Sequence, residues 1–279
     1  MATDTAAATG HKTEFMSVSD APFQPKPVVK NITAQRGDAM RCKGPKQETI
    51  LRMLENNMEV AEYPDKLVVY GGIGKAARNW ESYHAIVDSL KNLENDETLV
   101  VQSGMPVAVF QTHELAPRVV MATTNFVRPT WEQFYDLQDK NLTIFAQYTA
   151  APWEYIGTQG VIQGTFETLR SVGNLHFGGS LVGCLLVCAG MGGMGGNQPR
   201  AMTMLGGVSI CADPDVRIIQ RRIDAGYCDV LAESLDHAFE LARAAQSESK
   251  PLGISVVANA VEIFEYCLEN GIKPDIVTE

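Results

Sequence analysis

The sequence predicts an α/β protein in two parts: a mixed α/β core segment, then a parallel sheet whose strands alternate with helices. Three observations predict this. From residue 180 onward, five short apolar runs alternate with amphipathic stretches of about ten residues, the pattern of βαβ units. Between residues 41 and 146 helical and strand signals mix without that rhythm. Hydrophobic residues make up 45% and charged residues 20% of the 279, a balance that supports a sizeable core.

The elements follow in chain order. Residues 1–40 are a polar leader arm with Pro22, Pro25 and Pro27 close together and no core of their own. Gln47–Met58 has helical apolar spacing. Pro64–Asp65 ends it, and Lys66–Tyr70 reads as a short buried strand running into Gly71–Gly72. A helix is expected over Asn79–Leu93, then strands over Thr98–Gln102, Pro106–Phe110 and Arg118–Ala122. Thr130 is placed to cap a helix over Trp131–Leu137, and Asn141–Gln147 returns to strand. Gly157–Gly164 reads as a glycine-punctuated segment opening a helix over Thr165–Val172. The regular part then gives strands at Cys184–Ala189, Val208–Ala212, Asp229–Ala232, Leu252–Val257 and Asp275–Thr278. Helices at Val216–Ala225, Leu235–Gln246 and Val261–Asn270 separate the later ones. The expected organisation is a leader over 1–40, an α/β core segment over 41–146 and a parallel-sheet domain over 147–279. Because the sequence stops on a strand, this last domain is expected to be incomplete at its C-terminal end.

Charge and cysteine use narrow the function classes. Twenty-three Lys and Arg against 33 Asp and Glu give a net charge of −10, which disfavours nucleic-acid partners. No stretch has the apolar length of a membrane span, and the N-terminus lacks a secretory signal, so a cytoplasmic protein is expected. The six cysteines form no C-x-x-C pair and read as structural thiols. The five histidines lack metal-ligand spacing, so no metal site is expected.

One motif carries specific chemistry. Gly190, Gly192 and Gly195 form G-x-G-x-x-G directly after an apolar strand and before a helix with Pro199 near its start. The first glycine allows a tight turn, the second lets a pyrophosphate approach the backbone, and the third lets strand and helix pack closely. The helix N-terminus would add unpaired N–H groups. Asp213 follows the next strand, where an acid accepts ribose hydroxyls and favours NAD over NADP. This context suits a Rossmann-like dinucleotide domain, with a purely structural glycine turn as the alternative. Arg217 is either a phosphate ligand or a solvated helix residue. Gly71–Lys75 lacks the first glycine and the Ser or Thr of a phosphate loop, which excludes ATP binding there. It is either a plain turn or a place of close ligand approach.

Several segments together resemble the urocanase (urocanate hydratase) family from Arg41-Cys-Lys-Gly44 to the end of the chain. They include Val69-Tyr-Gly-Gly72, Arg78-Asn-Trp80, Gln102-Ser-Gly104, Ala116-Pro-Arg-Val119, Tyr155-Ile-Gly157, His176-Phe-Gly-Gly179, Gly192-Gly-Met-Gly-Gly196 and Gln198-Pro199, in the family's order and spacing. The resemblance implies a lyase of histidine degradation that adds water to urocanate to give imidazolonepropionate. Tightly held NAD+ serves there as an electrophile rather than a hydride carrier. It implies cofactor contacts at Gly71, Gly72, Gln147, Gly193, Met194, Gly195, Asn259 and Ala260, with Asp213 and Arg217 as an acid–arginine pair where the family usually has Glu. It also implies a homodimer. Because family members are about twice this length, the chain is expected to be an N-terminal half. The catalytic cysteine would then lie beyond residue 279, and this chain alone would be inactive. Ile73, Ala146, Tyr148, Ala151, Pro152 and Asn197 depart from the family pattern. The alternatives are a non-catalytic paralogue that binds NAD or a partner, and a hydratase for a modified imidazole acrylate.

Overall fold

The structure, a computed structural model, describes residues 32–122 and 130–278. The chain forms two compact units, Met1–Tyr155 and Ile156–Glu279. The division falls after Tyr155 rather than after residue 146, because the residues between pack on the first unit. The buried Trp153 indole donates to the Ala76 carbonyl at 2.7 Å, and the Tyr155 ring lies 4.6 Å from that of Tyr70. Of the expected leader, residues 1–31 lie outside the described residues.

In the first unit, helix α1 (Pro45–Glu59) opens on Pro45, whose missing N–H would have had no helical partner in any case. Leu51, Leu54 and Met58 recur at helical spacing and are buried. A second stripe, Glu48, Glu55 and Glu59, holds the segment ahead of the helix. Glu59 accepts from the Ala34 N–H and the Arg36 guanidinium, and Glu55 from the Gln35 N–H and Arg41. The strand expected from Lys66 is shorter, β1 (Val68–Tyr70), because Pro64–Lys66 form one 3-10 turn and Leu67 sits at φ 60°. It pairs antiparallel with β2 (Gly74–Lys75). Helix α2 (Trp80–Asn92) follows, and Asn79 is its cap, accepting from the Ser82 N–H at 2.8 Å.

Strands β3 (Glu97–Gln102) and β4 (Met105–Gln111) form a hairpin. Its two turn residues, Ser103 and Gly104, both have positive φ, as the twist of a two-residue hairpin loop requires. β5 (Val119–Ala122) joins β3 in parallel, giving the order β4-β3-β5. Helix α3 (Trp131–Asp139) carries the predicted Thr130 cap, closed reciprocally by Gln133. The strand expected at Asn141–Gln147 is not formed. Asn141 takes φ 56°, and only Phe145 makes an isolated bridge, to Gly74. Thr143 and Ile144 are buried as loop residues, so their β-forming composition serves packing rather than a ladder.

The second unit opens on helix α4 (Thr158–His176), seven residues earlier than Thr165. Gly160 and Gly164 lie inside it with open space around them. Each weakens the helix by about 1 kcal/mol relative to Ala, and the packing of Ile162, Phe166 and Leu169 offsets this. The rest follows the predicted alternation: β6 (Leu185–Ala189), α5 (Gln198–Met204), β7 (Val208–Asp213), α6 (Val216–Asp224) and β8 (Val230–Ala232). Then come α7 (Leu235–Ser247), β9 (Leu252–Val257), α8 (Ala260–Glu269) and β10 (Ile276–Thr278).

The sheet is parallel throughout, in the order β10-β6-β7-β9-β8. Alternate side chains divide two cores. Leu185, Val187, Val208 and Ile210 meet Phe239 and Ala242 of α7 and Ile263 of α8. Leu186, Cys188 and Cys211 meet Leu169 of α4, Ala201 and Met202 of α5, and Ile219 of α6. All six cysteines are free thiols, and five of them are buried. The Cys188 hydrogen bond and burial hold the Cys211 thiol well above its ordinary range. The connection leaving β7 crosses to the α6 face and the one leaving its neighbour β9 to the α8 face. The carboxyl ends of these strands are therefore a topological switch point, the place where open α/β sheets take ligands.

Candidate functional site

In the first unit the turn between β1 and β2 carries Gly71 and Gly72 at φ 69° and 77°. Gln147 lies against it. A Cβ on Gly71 would stand 2.5 Å from Gln147 Nε2, and one on Gly74 would stand 2.3 Å from Gln147 Cγ. The structure thus brings together the three residues that the resemblance assigns to cofactor contact in this unit. Lys75 closes the turn half-buried, and burial pushes its ammonium down from the usual range. Tyr148 is 93% exposed.

In the second unit the remaining expected residues gather at the carboxyl ends of β6, β7 and β9. Gly193, Met194 and Gly195 follow β6, Asp213 ends β7 opposite Val257, and Asn259 and Ala260 follow β9. Gly190 takes φ 82°, as the first glycine of the motif should. Gly195 fits only without a side chain, since a Cβ there would stand 2.1 Å from the Gly190 carbonyl oxygen. The helix N-terminus expected to face a phosphate is instead one 3-10 turn, Gly195–Asn197, leading into a seven-residue α5. Any anion donors here are therefore the loop's own N–H groups.

Those groups are unevenly used. The Gly190 and Met191 N–H groups bond inward, to the Ala212 carbonyl at 2.7 Å and to Asp213 Oδ2 at 2.7 Å. The carbonyls of Met191, Gly192, Gly193 and Met194 each accept a side-chain donor. The N–H groups of Gly192, Met194 and Gly195 find no acceptor among the described residues. A loop with its acceptors satisfied and several donors left over is a nest for an anion.

Asp213 was expected to meet a ribose. It is buried, and both its oxygens accept backbone N–H groups, Met191 on Oδ2 and Asp215 on Oδ1 at 2.8 Å. Its visible work is to tie the glycine loop to the end of β7. Replacing it by Asn would set an NH2 group against one of these N–H groups. Asp213→Asn should lower the second unit's stability by about 1–3 kcal/mol, read as a shifted urea midpoint. The exposed Arg217 pairs with the half-buried Asp215 at 2.7 Å. The Arg217 hydrogen bond holds the Asp215 carboxyl at about 2. Asn259 spends its Oδ1 on capping α8, accepting the Glu262 N–H at 3.0 Å.

Sequence reasoning passed over Arg222, whose guanidinium donates to two of the loop carbonyls. Its signal was position: it follows buried Ile219 by three residues, on the apolar face of α6, where an arginine needs a reason. Among the described residues no three His, Cys, Asp or Glu side chains gather as a metal site, and no helix is long and apolar enough to cross a membrane.

A parallel sheet with a glycine nest at the carboxyl end of β6, beside its switch point, places the second unit among Rossmann-like domains, a class suited to nucleotide cofactors. The urocanase Rossmann-like domain matches residues 157–279, and the urocanase N-terminal domain matches residues 32–154. The chain belongs to the urocanase family, a family of hydro-lyases acting on a small molecule.

Proposed function

We infer that this protein is a urocanate hydratase, adding water to urocanate to give imidazolonepropionate, with NAD+ held by the glycine nest of the second unit. The observation that carries this reading is the set of unpaired N–H groups at Gly192, Met194 and Gly195, beside carbonyls that are all engaged. The fit to a diphosphate is chemical. The donors are neutral and closely spaced, and the absence of side chains on Gly192, Gly193 and Gly195 lets a ligand approach the backbone. When bound, NAD+ supplies an electrophilic nicotinamide ring. The chain's own contribution is to bind and orient: Asp213 fixes the loop's entry, Gly195 packs the loop against Gly190 and the end of β6, and Gly196 leaves room for Arg222. Gly71, Gly72, Gln147, Asn259 and Ala260 enter as further cofactor contacts on the strength of the family resemblance. The homodimer and the cytoplasmic location belong to the same proposal.

The test is direct. NAD+ titrated into the protein should give a saturable calorimetric signal, and protein purified from its own cells should release NAD+ on denaturation. Protein that neither releases nor binds the dinucleotide overturns the reading.

A further inference from the structure

We propose that Arg222 and Asn197 are positioning residues which set the polarity of the glycine loop. This rests on the dinucleotide reading and says how the loop is made ready for a diphosphate. Four successive carbonyls are held by these two side chains. Arg222 Nε donates to the Met191 oxygen at 2.9 Å and Nη2 to the Gly192 oxygen at 2.6 Å. Asn197 Nδ2 donates to the Gly193 oxygen at 2.8 Å and to the Met194 oxygen at 3.2 Å.

Each peptide is planar and trans, so fixing a carbonyl on one side sends the N–H of the following residue to the other. Holding the oxygens of residues 191–194 therefore aims the N–H groups of Gly192, Gly193, Met194 and Gly195 away from the two clamps. Three of these four, at Gly192, Met194 and Gly195, are the N–H groups without an acceptor among the described residues.

Two further features show that the clamps are themselves held. The Arg222 guanidinium lies 5.4 Å from the centroid of the Tyr227 ring, and the Tyr227 hydroxyl pairs with Thr158 on α4. Gly196 leaves the room Arg222 needs, since a Cβ there would stand 2.5 Å from Arg222 Nε. Asn197 is fully buried, and its Oδ1 has no donor among the described residues. A buried amide that leaves its own acceptor unpaired while donating twice into the loop is a cost placed where it orients the backbone.

The experiment is a titration of NAD+ into wild type, Arg222→Lys, Arg222→Ala and Asn197→Ala, with folding checked by circular dichroism. Arg222→Lys keeps the charge and loses the two-carbonyl fork; Asn197→Ala removes the second clamp without changing charge. Each variant should bind NAD+ about ten- to a hundredfold more weakly, the range seen when outer partners of a binding shell are lost. Added guanidinium should restore affinity to Arg222→Ala but not to Asn197→Ala. The 31P resonances of bound NAD+ should move toward those of the free dinucleotide in Asn197→Ala, which a general loss of stability would not produce. If Arg222→Ala fails to fold, Arg222→Lys and Asn197→Ala decide. Variants that bind within twofold of wild type overturn the positioning role and leave the dinucleotide site standing. A wild-type protein that does not bind NAD+ overturns the dinucleotide reading itself, and with it this one.

Discussion

Gly195→Ala is expected to abolish NAD+ binding, weakening it by at least about a hundredfold, with the second unit still folded. The reason is steric and local. The added methyl would stand 2.1 Å from the Gly190 oxygen and 3.0 Å from its carbonyl carbon. These are backbone atoms, so no flexible side chain can swing aside. Gly190 is pinned in turn by its N–H bond to Ala212 at 2.7 Å, so the strain must open the loop. Opening it separates the clamped carbonyls from Arg222 and Asn197 and scatters the N–H groups they aim. Overpacking of this kind costs about 1–3 kcal/mol, which shows as a lower melting temperature rather than loss of the sheet. Gly190→Ala makes the informative comparison. No heavy atom lies within 4 Å of its Cβ position, so its only burden is φ 82°, about 1–2 kcal/mol for a residue with a side chain. It should keep measurable affinity. Calorimetric titration of both variants decides, and wild-type affinity in Gly195→Ala would sink the assignment of the loop.

These two glycines also show what was legible from sequence. The motif spacing, the strand before it and the alternation after it follow from side-chain periodicity, which parallel strands buried on both faces display plainly. Polarity within the loop was not legible, because it depends on donors that arrive from elsewhere in the fold. Arg222 reaches the loop from α6, across thirty-one residues from Met191. Asp213 has the position expected for a ribose contact, and it also accepts the Met191 N–H of the glycine loop and the Asp215 N–H after β7, a structural duty that spacing cannot reveal. Glycine also misleads by type. Gly160 and Gly164 read as punctuation but lie within α4, where tertiary packing outweighs a weak propensity. Leu142 to Phe145 satisfied strand propensity and still formed only one bridge, since a lone strand signal carries no information about a partner.

The acidic stripe on α1 was equally hidden, because a row of glutamates on a helix ordinarily faces water. Here it predicts the largest stability effect in the first unit. Glu48 is only 3% exposed. Its Oε1 accepts Arg52 Nε at 2.8 Å and Arg41 Nη2 at 3.0 Å, while Oε2 accepts the N–H groups of Arg41 and Cys42 at 2.7 and 3.1 Å. Burial by itself would raise this carboxyl. The hydrogen bonds from Arg52, Arg41 and Cys42 outweigh it and bring the value down to about 2. Because the folded value lies below the unfolded one, the stabilisation is fully present above about pH 4.5 and is lost as pH falls through about 2. The full shift corresponds to roughly 3 kcal/mol, and screening at the partly exposed arginines reduces this to about 2 kcal/mol. Glu48→Gln removes the charge but leaves two guanidinium groups converging on it, and loss of one partner of a buried ion pair costs about 3–5 kcal/mol. The variant should therefore melt well below wild type at pH 7, and the gap should narrow steadily from pH 4.5 toward pH 2 as wild-type Glu48 takes up its proton. Parallel thermal melts across that range, followed in the first unit by tryptophan fluorescence, measure both. A constant gap down to pH 2 would show that Glu48 acts through shape and packing, not through its charge.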